Sequence, residues 1–381
     1  MSATRRSFLA AGLALPAAAS VDQAPPPQPP KLPARAPAFT YRTLGKTGLK
    51  VTSLGFGCMI TSDGSVVERA ADLGITYFDT ARGYQGGNNE RMVGAALKKR
   101  RKDLVLSTKT EANDRQGALE QLDTSLKELG TDYVDIWYLH GKSTPSAVTD
   151  GLMEALAAAK KSGKTRFVGV STHSGQQELM PWLAKNPAID VILTSYNFTM
   201  EPFMNGVIEE AAKAGKGIVA MKVMAGGVRR AGGANRERLS RDGALVAALK
   251  WVLRNPNVGT TIPSMTDMDQ LDANLRGMSQ PFGDVDEKLL AMHLERIAPE
   301  YCRMCGNCDG QCRKGLPVAD VLRFLTYADG YGQFALGRER YLGLHPSHAS
   351  ARCGDCPGCT IQCPYGVHVA ERMTRAQEMF A

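Results

Sequence analysis

The sequence has little cysteine outside one stretch and no glycine-rich fingerprint where a nucleotide fold would carry one. Each absence excludes something. Eight of the nine cysteines lie between Cys302 and Cys363, and only Cys58 is elsewhere. Clustering of this kind argues against disulfides spread through a secreted fold and for a local metal site. No GxGxxG follows the first candidate strand, which counts against a doubly wound dinucleotide-binding sheet. Lys and Arg form no stripe of the sort that grips nucleic acid, so no nucleic-acid partner is expected. With 43% hydrophobic and 22% charged residues, the 381-residue chain is neither disordered nor collagen-like, and its length suits a large domain plus a smaller one. Of the formal net charge of +8, the first forty residues carry +3 and residues 284–381 carry −1, which leaves +6 on 41–283. That excess suits an anionic small ligand, and a generally soluble basic surface is the alternative.

The N terminus has its own pattern. Two arginines precede a short apolar stretch, Phe8 to Leu15, and small residues follow at Ala17–Ala19. The stretch is too short to cross a bilayer, for which about 20 apolar residues are needed. It has the three regions of a signal peptide, and Thr4-Arg5-Arg6-Ser7-Phe8-Leu9 resembles the twin-arginine export signal. An uncleaved anchor or a chance match is the alternative. Residues 1–19 are therefore expected to be a leader read by the twin-arginine translocase, cleaved after Ala19. No stable membrane span would be left, and the chain would reach the periplasm already folded. Residues 20–40 follow as a tether, with seven prolines in 25–37.

From Tyr41 onward, short apolar runs alternate with amphipathic segments. Candidate strands are Leu54–Gly57, Ile75–Phe78, Leu104–Thr108, Val134–Leu139, Phe167–Ser171, Val191–Tyr196, Ile218–Val223 and Gly259–Ile262. Gln116–Leu129, Leu152–Ser162 and Met204–Ala214 have helical spacing. Eight such units over 41–283 predict an α/β fold, a (β/α)8 TIM barrel, with an open doubly wound sheet as the rival. Catalytic groups of such barrels sit at the C-terminal ends of strands. Asp79, Lys109 and His140 follow the second, third and fourth strands, and Tyr84 lies five residues beyond Asp79. Singly these are a capping Asp, a snorkelling Lys, a core His and a surface Tyr. Their joint placement at one mouth makes them candidate catalytic residues.

At these positions the sequence resembles the aldo-keto reductase family. The resemblance covers about residues 41–283 and rests on YRTLGKTGLKVTSLGFG, DTARGY, NNERMVGAAL, LSTKT, VDIWYLHG, GVSTHS, SYN and TIPSM. Asp79, Tyr84, Lys109 and His140 match the family's catalytic tetrad. The implied chemistry is interconversion of a small-molecule carbonyl and an alcohol. Tyr84 would be the proton donor, with an ordinary pKa of about 10 that a nearby Lys109 ammonium would lower. Asp79 would hold Lys109 charged, and His140 would donate a hydrogen bond to the substrate oxygen.

The resemblance also implies a bound nicotinamide. Its ring would stack on Tyr196, with Ser171, Thr172 or His173 at the carboxamide, and the pyrophosphate would run along Met224, Ala225, Gly226 and Gly227 near Ser264. Asn274 matches the family's adenine contact. The family's usual Asn and Gln near the carboxamide are missing, the latter replaced by Leu193. The Lys and Arg that commonly grip the 2′-phosphate align with Ser264 and Gln270, although Arg229 or Arg230 offers a substitute. NAD, NADP and no nicotinamide stay open.

Residues 302–312 read CRMCGNCDGQC and residues 353–364 read CGDCPGCTIQCP. Both have C-x2-C-x2-C-x3-C spacing, the signature of two [4Fe–4S] clusters in which the fourth cysteine of each run ligates the other cluster. Cys302, Cys305, Cys308 and Cys363 would hold one cluster, and Cys353, Cys356, Cys359 and Cys312 the second. Structural zinc is the alternative, and Arg313 stands where Pro follows the second run. The forty intervening residues, with helical pieces at Val318–Leu325 and Gly337–Leu342, make residues 284–381 resemble a small α-helical ferredoxin-like domain. Aldo-keto reductase-like proteins with such a module form a subgroup that the whole chain resembles.

The two halves sit awkwardly together. A nicotinamide exchanges two electrons as a hydride, whereas each cubane takes one, and no flavin signature mediates. A redox partner protein or carrier is the expected bridge. The rival reading is an iron–sulfur electron-transfer or interaction protein whose barrel is a scaffold.

Overall fold

Tyr41–Thr43 (β1) and Lys50–Thr52 (β2) pair antiparallel, with Tyr41 opposite Thr52. The apolar pattern does not reveal this hairpin, because each arm is only 3 residues long. Leu44 at its turn is fully buried against the strand-start glycines Gly217 and Gly259, so the hairpin stoppers the end at which the parallel strands begin. The computed structural model of the chain describes residues 39–200, 202–226 and 243–381. The proposed leader 1–19, most of the tether 20–40, and Gly227, Arg229 and Arg230 lie outside these residues. Everything described belongs to one compact unit, Pro37–Ala381.

Eight parallel strands form the centre: Phe56–Gly57 (β3), Tyr77–Asp79 (β4), Val105–Thr110 (β5), Val134–Leu139 (β6), Thr165–Thr172 (β7), Val191–Ser195 (β8), Gly217–Met221 (β9) and Thr260–Thr261 (β10). Each pairs with the next in chain order. The ring closes where Gly55 N donates to Thr261 O at 2.8 Å and Thr261 N to Ser53 O at 3.0 Å. The barrel expected from sequence is present, with strand ends shifted by one or two residues. Strand alternation sorts the core. In β6, Ile136 and Tyr138 join the interior cluster with Tyr77, Leu193 and Val219, while Trp137 and Leu139 face the surrounding helices.

Those helices start where side chains cap them. Gly64–Asp72 (α1) is capped by Asp63, Arg115–Leu129 (α3) by Asp114, Asp150–Lys161 (α4) by Thr149 and Met268–Met278 (α8) by Asp267. Each such cap contributes about 1 kcal/mol. Asn88–Leu97 (α2), Gln176–Lys185 (α5), Phe203–Lys213 (α6) and Ala244–Leu253 (α7) complete the described outer layer. Asp284–Ile297 (α9) packs on α7 through Leu290 against Ala247 and Ala248, and Lys250 Nζ meets Asp286 Oδ1 at 3.1 Å. This helix, grouped with the tail on sequence grounds, thus lies on the barrel.

The tail contributes Val318–Asp329 (α10), Phe334–Leu342 (α11), Pro346–Ser350 (α12) and Val369–Phe380 (α13). Both expected helical pieces lie within them. Leu322, Leu325, Tyr341, Met373 and Phe380 form its core, and several cysteines pack against that core. Asp329 on α10 accepts from Arg372 at 3.1 Å and from Arg375 at 2.8 Å, which ties α10 to α13. Among the described residues no helix is long and apolar enough to cross a membrane.

Candidate active site

Parallel strands bring their C-terminal ends to one rim, and three ionisable residues stand there. Asp79 ends β4, Lys109 is the penultimate residue of β5 rather than following it, and His140 comes directly after β6. Lys109 is 1% exposed, and its Nζ donates to Asp79 Oδ2 at 2.5 Å, Thr80 O at 2.7 Å and Tyr84 Oη at 3.2 Å. Three acceptors satisfy a buried ammonium, the condition under which such a charge is tolerated. Ser107 Oγ donates to the other oxygen of Asp79 at 2.7 Å.

The Tyr84 phenol is held well above its ordinary pKa, first by burial and then by the charge of Asp79. In the free protein these outweigh the lowering expected from Lys109, whose Nζ lies 2.5 Å from Asp79 and 3.2 Å from the phenol oxygen. His140 meets the Tyr84 ring edge-on at 5.8 Å between centres, and burial pulls its pKa below the ordinary value. Glu111, two residues beyond Lys109, brings Oε1 to 3.1 Å from His140 Nδ1. Arg340 of α11 grips both Glu111 oxygens, at 2.6 and 3.0 Å. Burial alone would raise the Glu111 carboxyl, but hydrogen bonds from His140 and Arg340 bring it down to about 2.

Beside this cluster is a cavity of about 220 Å3 lined by Asp79, Tyr84, His173, Met224, Gly226 and Ser264, and by Tyr331 from the tail. The tail roofs it closely. A Cβ at Gly226 would fall 2.5 Å from the Tyr301 ring, and one at Gly330 would fall 2.1 Å from Gly226 O. Lys222 Nζ lies 5.0 Å from the Tyr327 ring centre and 5.5 Å from that of Tyr331. Burial would raise the Tyr327 phenol, but Arg323, 3.0 Å from its oxygen, and Lys222 bring it down to about 8.

The proposed nicotinamide contacts divide. His173, Met224, Gly226 and Ser264 line the cavity. Ser171 is buried beside it and accepts from Gly141 N at 2.8 Å, while Thr172 turns to Ser174 O at 2.7 Å. Ala225 and Asn274 are buried and do not line it. Tyr196 does not face it either, which corrects its assignment as the stacking ring. Strand alternation turns Tyr196 into the helix layer, where it lies 5.1 Å from Trp251 and donates to Asn205 at 2.5 Å. Gln270 is tied to its own turn, accepting from Thr266 N at 3.1 Å and donating to Asp267 Oδ2 at 2.5 Å.

Glu111, Lys222, Arg323, Tyr327, Tyr331 and Arg340 do not stand out in the sequence. Glu111 has a usable signal, an acid just past a strand that already carries Lys109. Arg340 has none, since 229 residues separate it from Glu111.

The tail thiols fall into two groups that cross the two runs. Burial, then Cys308, Cys305 and Cys363, push Cys302 up to about 12. Burial, then Cys312, Cys356 and Cys359, raise Cys353. Cys312, Cys353, Cys356 and Cys359 share a cavity of about 200 Å3 with Leu316 and Met373 in its wall. Among the described residues, no group of three or more His, Cys, Asp or Glu is arranged around a single metal ion. Cys58 is fully buried, as expected for a packed thiol.

Residues 62–245 match the aldo/keto reductase family. The chain is 31% identical over 226 residues to L-glyceraldehyde 3-phosphate reductase of Escherichia coli, covering 51% of this chain and 64% of the relative. It is 28% identical over 281 residues to L-galactose dehydrogenase of Arabidopsis thaliana, covering 63% of this chain and 88% of the relative. Against the first curated relatives it spans about half to two thirds of their length, 48% in the case of an oxidoreductase of Bacillus subtilis. The solved aldo-keto reductase of Bacillus halodurans, in its holo form, superposes with a TM-score of 0.57 at 26% identity, over 66% of this chain and 96% of that one. Over these spans the barrel is similar to the aldo/keto reductases, in sequence and in the course of the chain.

Proposed function

We propose that the protein is an oxidoreductase interconverting a small-molecule carbonyl and an alcohol with a bound NADP or NAD. The observation that carries this reading is the convergence of Asp79, Lys109, Tyr84 and His140 at one rim, with Lys109 Nζ 2.5 Å from the acid and 3.2 Å from the phenol. The cavity beside them suits a nicotinamide. His173 lines it and carries a buried Nδ1 with no partner among the described residues, the kind of orphan a carboxamide would satisfy. Met224, Gly226 and Ser264 would hold the remainder of the cofactor. The chemistry a nicotinamide supplies when bound is hydride transfer at carbon. The chain manages the proton at oxygen. Tyr84, held neutral by burial, donates its phenolic proton to a carbonyl oxygen, and Lys109 is placed to support the phenolate left behind. His140 orients that oxygen. Gln270 and Asp267 offer the cofactor's far end no cation, which supports a free ribose hydroxyl there as readily as a 2′-phosphate.

The same proposal extends to the tail. The two crossed thiol groups and the apolar-walled cavity around one of them suit two [4Fe–4S] clusters, whose chemistry when bound is one-electron transfer. Insertion of such groups before export is the reason a twin-arginine leader, a periplasmic location and an external redox partner belong to this reading. Two observations favour the second reading, a scaffold barrel serving an electron-transfer tail. Tyr196 faces away from the cavity, and Tyr301 and Gly330 close on the Met224–Gly226 loop.

Anaerobically purified full-length protein tests both readings at once. The expected result is broad absorbance near ~400 nm with about eight irons per chain, and NAD(P) released on denaturation. Iron without any nucleotide, bound or bindable, would leave only the scaffold reading. Absence of both would overturn the two together.

A further inference from the structure

Lys222 directly follows β9 and has a backbone that a lysine rarely adopts. Its φ of 55° lies in the left-handed region that favours glycine. Two bonds to its carbonyl hold it there: Asn197 Nδ2 donates to Lys222 O at 3.1 Å, and Ala225 N donates to the same oxygen at 3.1 Å. Strain of this kind persists only where the surroundings over-determine it, and it gathers at functional sites. Here it places an ammonium. Lys222 and Tyr84 line the same cavity of about 220 Å3. The Lys222 ammonium bonds to the phenol of Tyr331, which lines that cavity too, and lies 5.5 Å from the centre of its ring. His173 is also in the wall, and burial, then the charge of Lys222, hold it well below its ordinary pKa.

The charges around the cavity do not balance. Asp79 is the one carboxylate in its wall among the described residues, and Lys109 pairs it at 2.5 Å. Two other cations of the mouth are matched, Arg340 by Glu111 and Arg323 by Asp320, each at 2.6 Å. Lys222 has no carboxylate partner among the described residues. Its cover from the tail is aromatic: the rings of Tyr327 and Tyr331, with the Tyr327 oxygen 3.0 Å from Arg323. Such rings attract an ammonium and keep water from it, but they do not neutralise it. A single positive charge matches a single negative one, whereas a dinucleotide's pyrophosphate carries two. The cavity is also smaller than the roughly 300 Å3 at which sites for drug-sized ligands begin. A ligand of few atoms can therefore reach the ammonium and the tetrad together. We propose that Lys222 seats the carboxylate of a small oxo or hydroxy acid, and so selects an anionic substrate for the tetrad. This rests on the reading of the mouth as a catalytic site. Asn197 is a positioning residue, acting through the backbone of Lys222, and the tail's phenols set how dry the seat is.

Binding tests the seat without turnover. Oxamate and succinamate are unreactive carbonyl acids, and oxamide and succinamide are their uncharged counterparts. Calorimetric titration of full-length protein at pH 7 is expected to show at least one acid bound about 10- to 100-fold more tightly than its amide. Lys222→Met, which keeps most of the stem, should erase that preference, and Lys222→Arg should keep most of it. A wild type that binds neither acid better than its amide would overturn the proposal, and this comparison decides even where a variant fails to fold. A folded Lys222→Met with the preference intact would overturn it too. So would a Lys222→Met that loses NAD and NADP by the same factor while still preferring the acid, since the ammonium would then hold the cofactor's phosphates. In turnover, the ratio of kcat/KM for glyoxylate over acetaldehyde, or for succinate semialdehyde over butanal, should fall about 10- to 100-fold in Lys222→Met, with the loss mainly in KM. Acid binding that depends on Lys222, in a protein that turns over no carbonyl and no alcohol, would uphold the seat and strike the enzymatic reading beneath it. Turnover with no preference for the acids would do the reverse.

Discussion

The barrel and the tail hold their functional residues in different ways. In the barrel every strand is hydrogen-bonded to its neighbours around a closed ring, and the tetrad hangs from strand ends that a large apolar core already fixes. In the tail, helices of 12, 9, 5 and 12 residues surround a smaller core, and the eight cysteines sit on the loops between them or in short turns. Seven of those cysteines are half-buried and Cys359 is exposed. The barrel's site is therefore preorganised by backbone and core. The tail's thiols owe their grouping to loops, whose order a bound cluster would complete. The contacts Arg340–Glu111 and Tyr301–Gly226 make the two regions share one mouth.

The strongest challenge to the preorganised half is Tyr84→Phe. Phe keeps the ring against Lys109 and removes only the hydroxyl, and Lys109 retains Asp79 and Thr80 as acceptors. Turnover should fall about 10²- to 10⁴-fold, with nucleotide binding and thermal stability close to wild type. Steady-state rates with a confirmed substrate, alongside nucleotide titration, check this. Undiminished reduction would remove Tyr84 from the mechanism.

How much is legible in the sequence also differs between the regions. The run VDIWYL matches β6 residue for residue, because a strand covered on both faces reads as an almost wholly apolar run, here broken only by Asp135, which Arg101 and Arg166 pair. The tetrad is legible because Asp79, Lys109 and His140 stand at or just past strand ends and Tyr84 comes five residues after Asp79. Two things are not. Family analogy places Tyr196 against the nicotinamide, yet the period of two that puts Leu193 in the interior turns Tyr196 outward, so the strand pattern itself contradicts the assignment. The tail's roofing of the mouth is a long-range contact, and nothing local in VLRFLTYADGYG announces that Tyr327 and Tyr331 flank Lys222. In the tail, cysteine spacing is legible as a pattern, but the position of α9 on the barrel depends on Leu290 finding Ala247 and Ala248.

Removing one thiol from each group sharpens the contrast. Cys353→Ser should lose about half of the iron and loosen the tail, read as faster amide exchange in α10 and α13. Cys305→Ser should lose the other half. In both, the barrel's unfolding transition should stay near wild type, because its core does not include these loops. Unfolding of the barrel at the same temperature as the damaged tail would show that the two regions are one cooperative unit, with no separate stability for either.

The smallest effect concerns the helix that joins the two regions. His293 on α9 is 0% exposed, and neither ring nitrogen has a partner among the described residues. Burial first, then the charge of Arg296, pulls its pKa down to about 4, whereas in the unfolded chain it titrates near about 6.5. Between those values the unfolded state binds the proton and the native state does not. Stability is therefore complete above about pH 6.5 and declines as pH falls toward about 4, by roughly 3 kcal/mol at most. His293→Leu should abolish that part of the decline, leaving a variant that equals or exceeds wild type at pH 7 and gains on it further at pH 5. Because α9 packs on α7, the gain should appear in the barrel transition and not in tail exchange. A difference between the two proteins that stays constant from pH 7 to pH 5 would mean that His293 takes up its proton as readily in the native state as in the unfolded chain, and that the seam between α9 and the barrel is wetter than its packing implies.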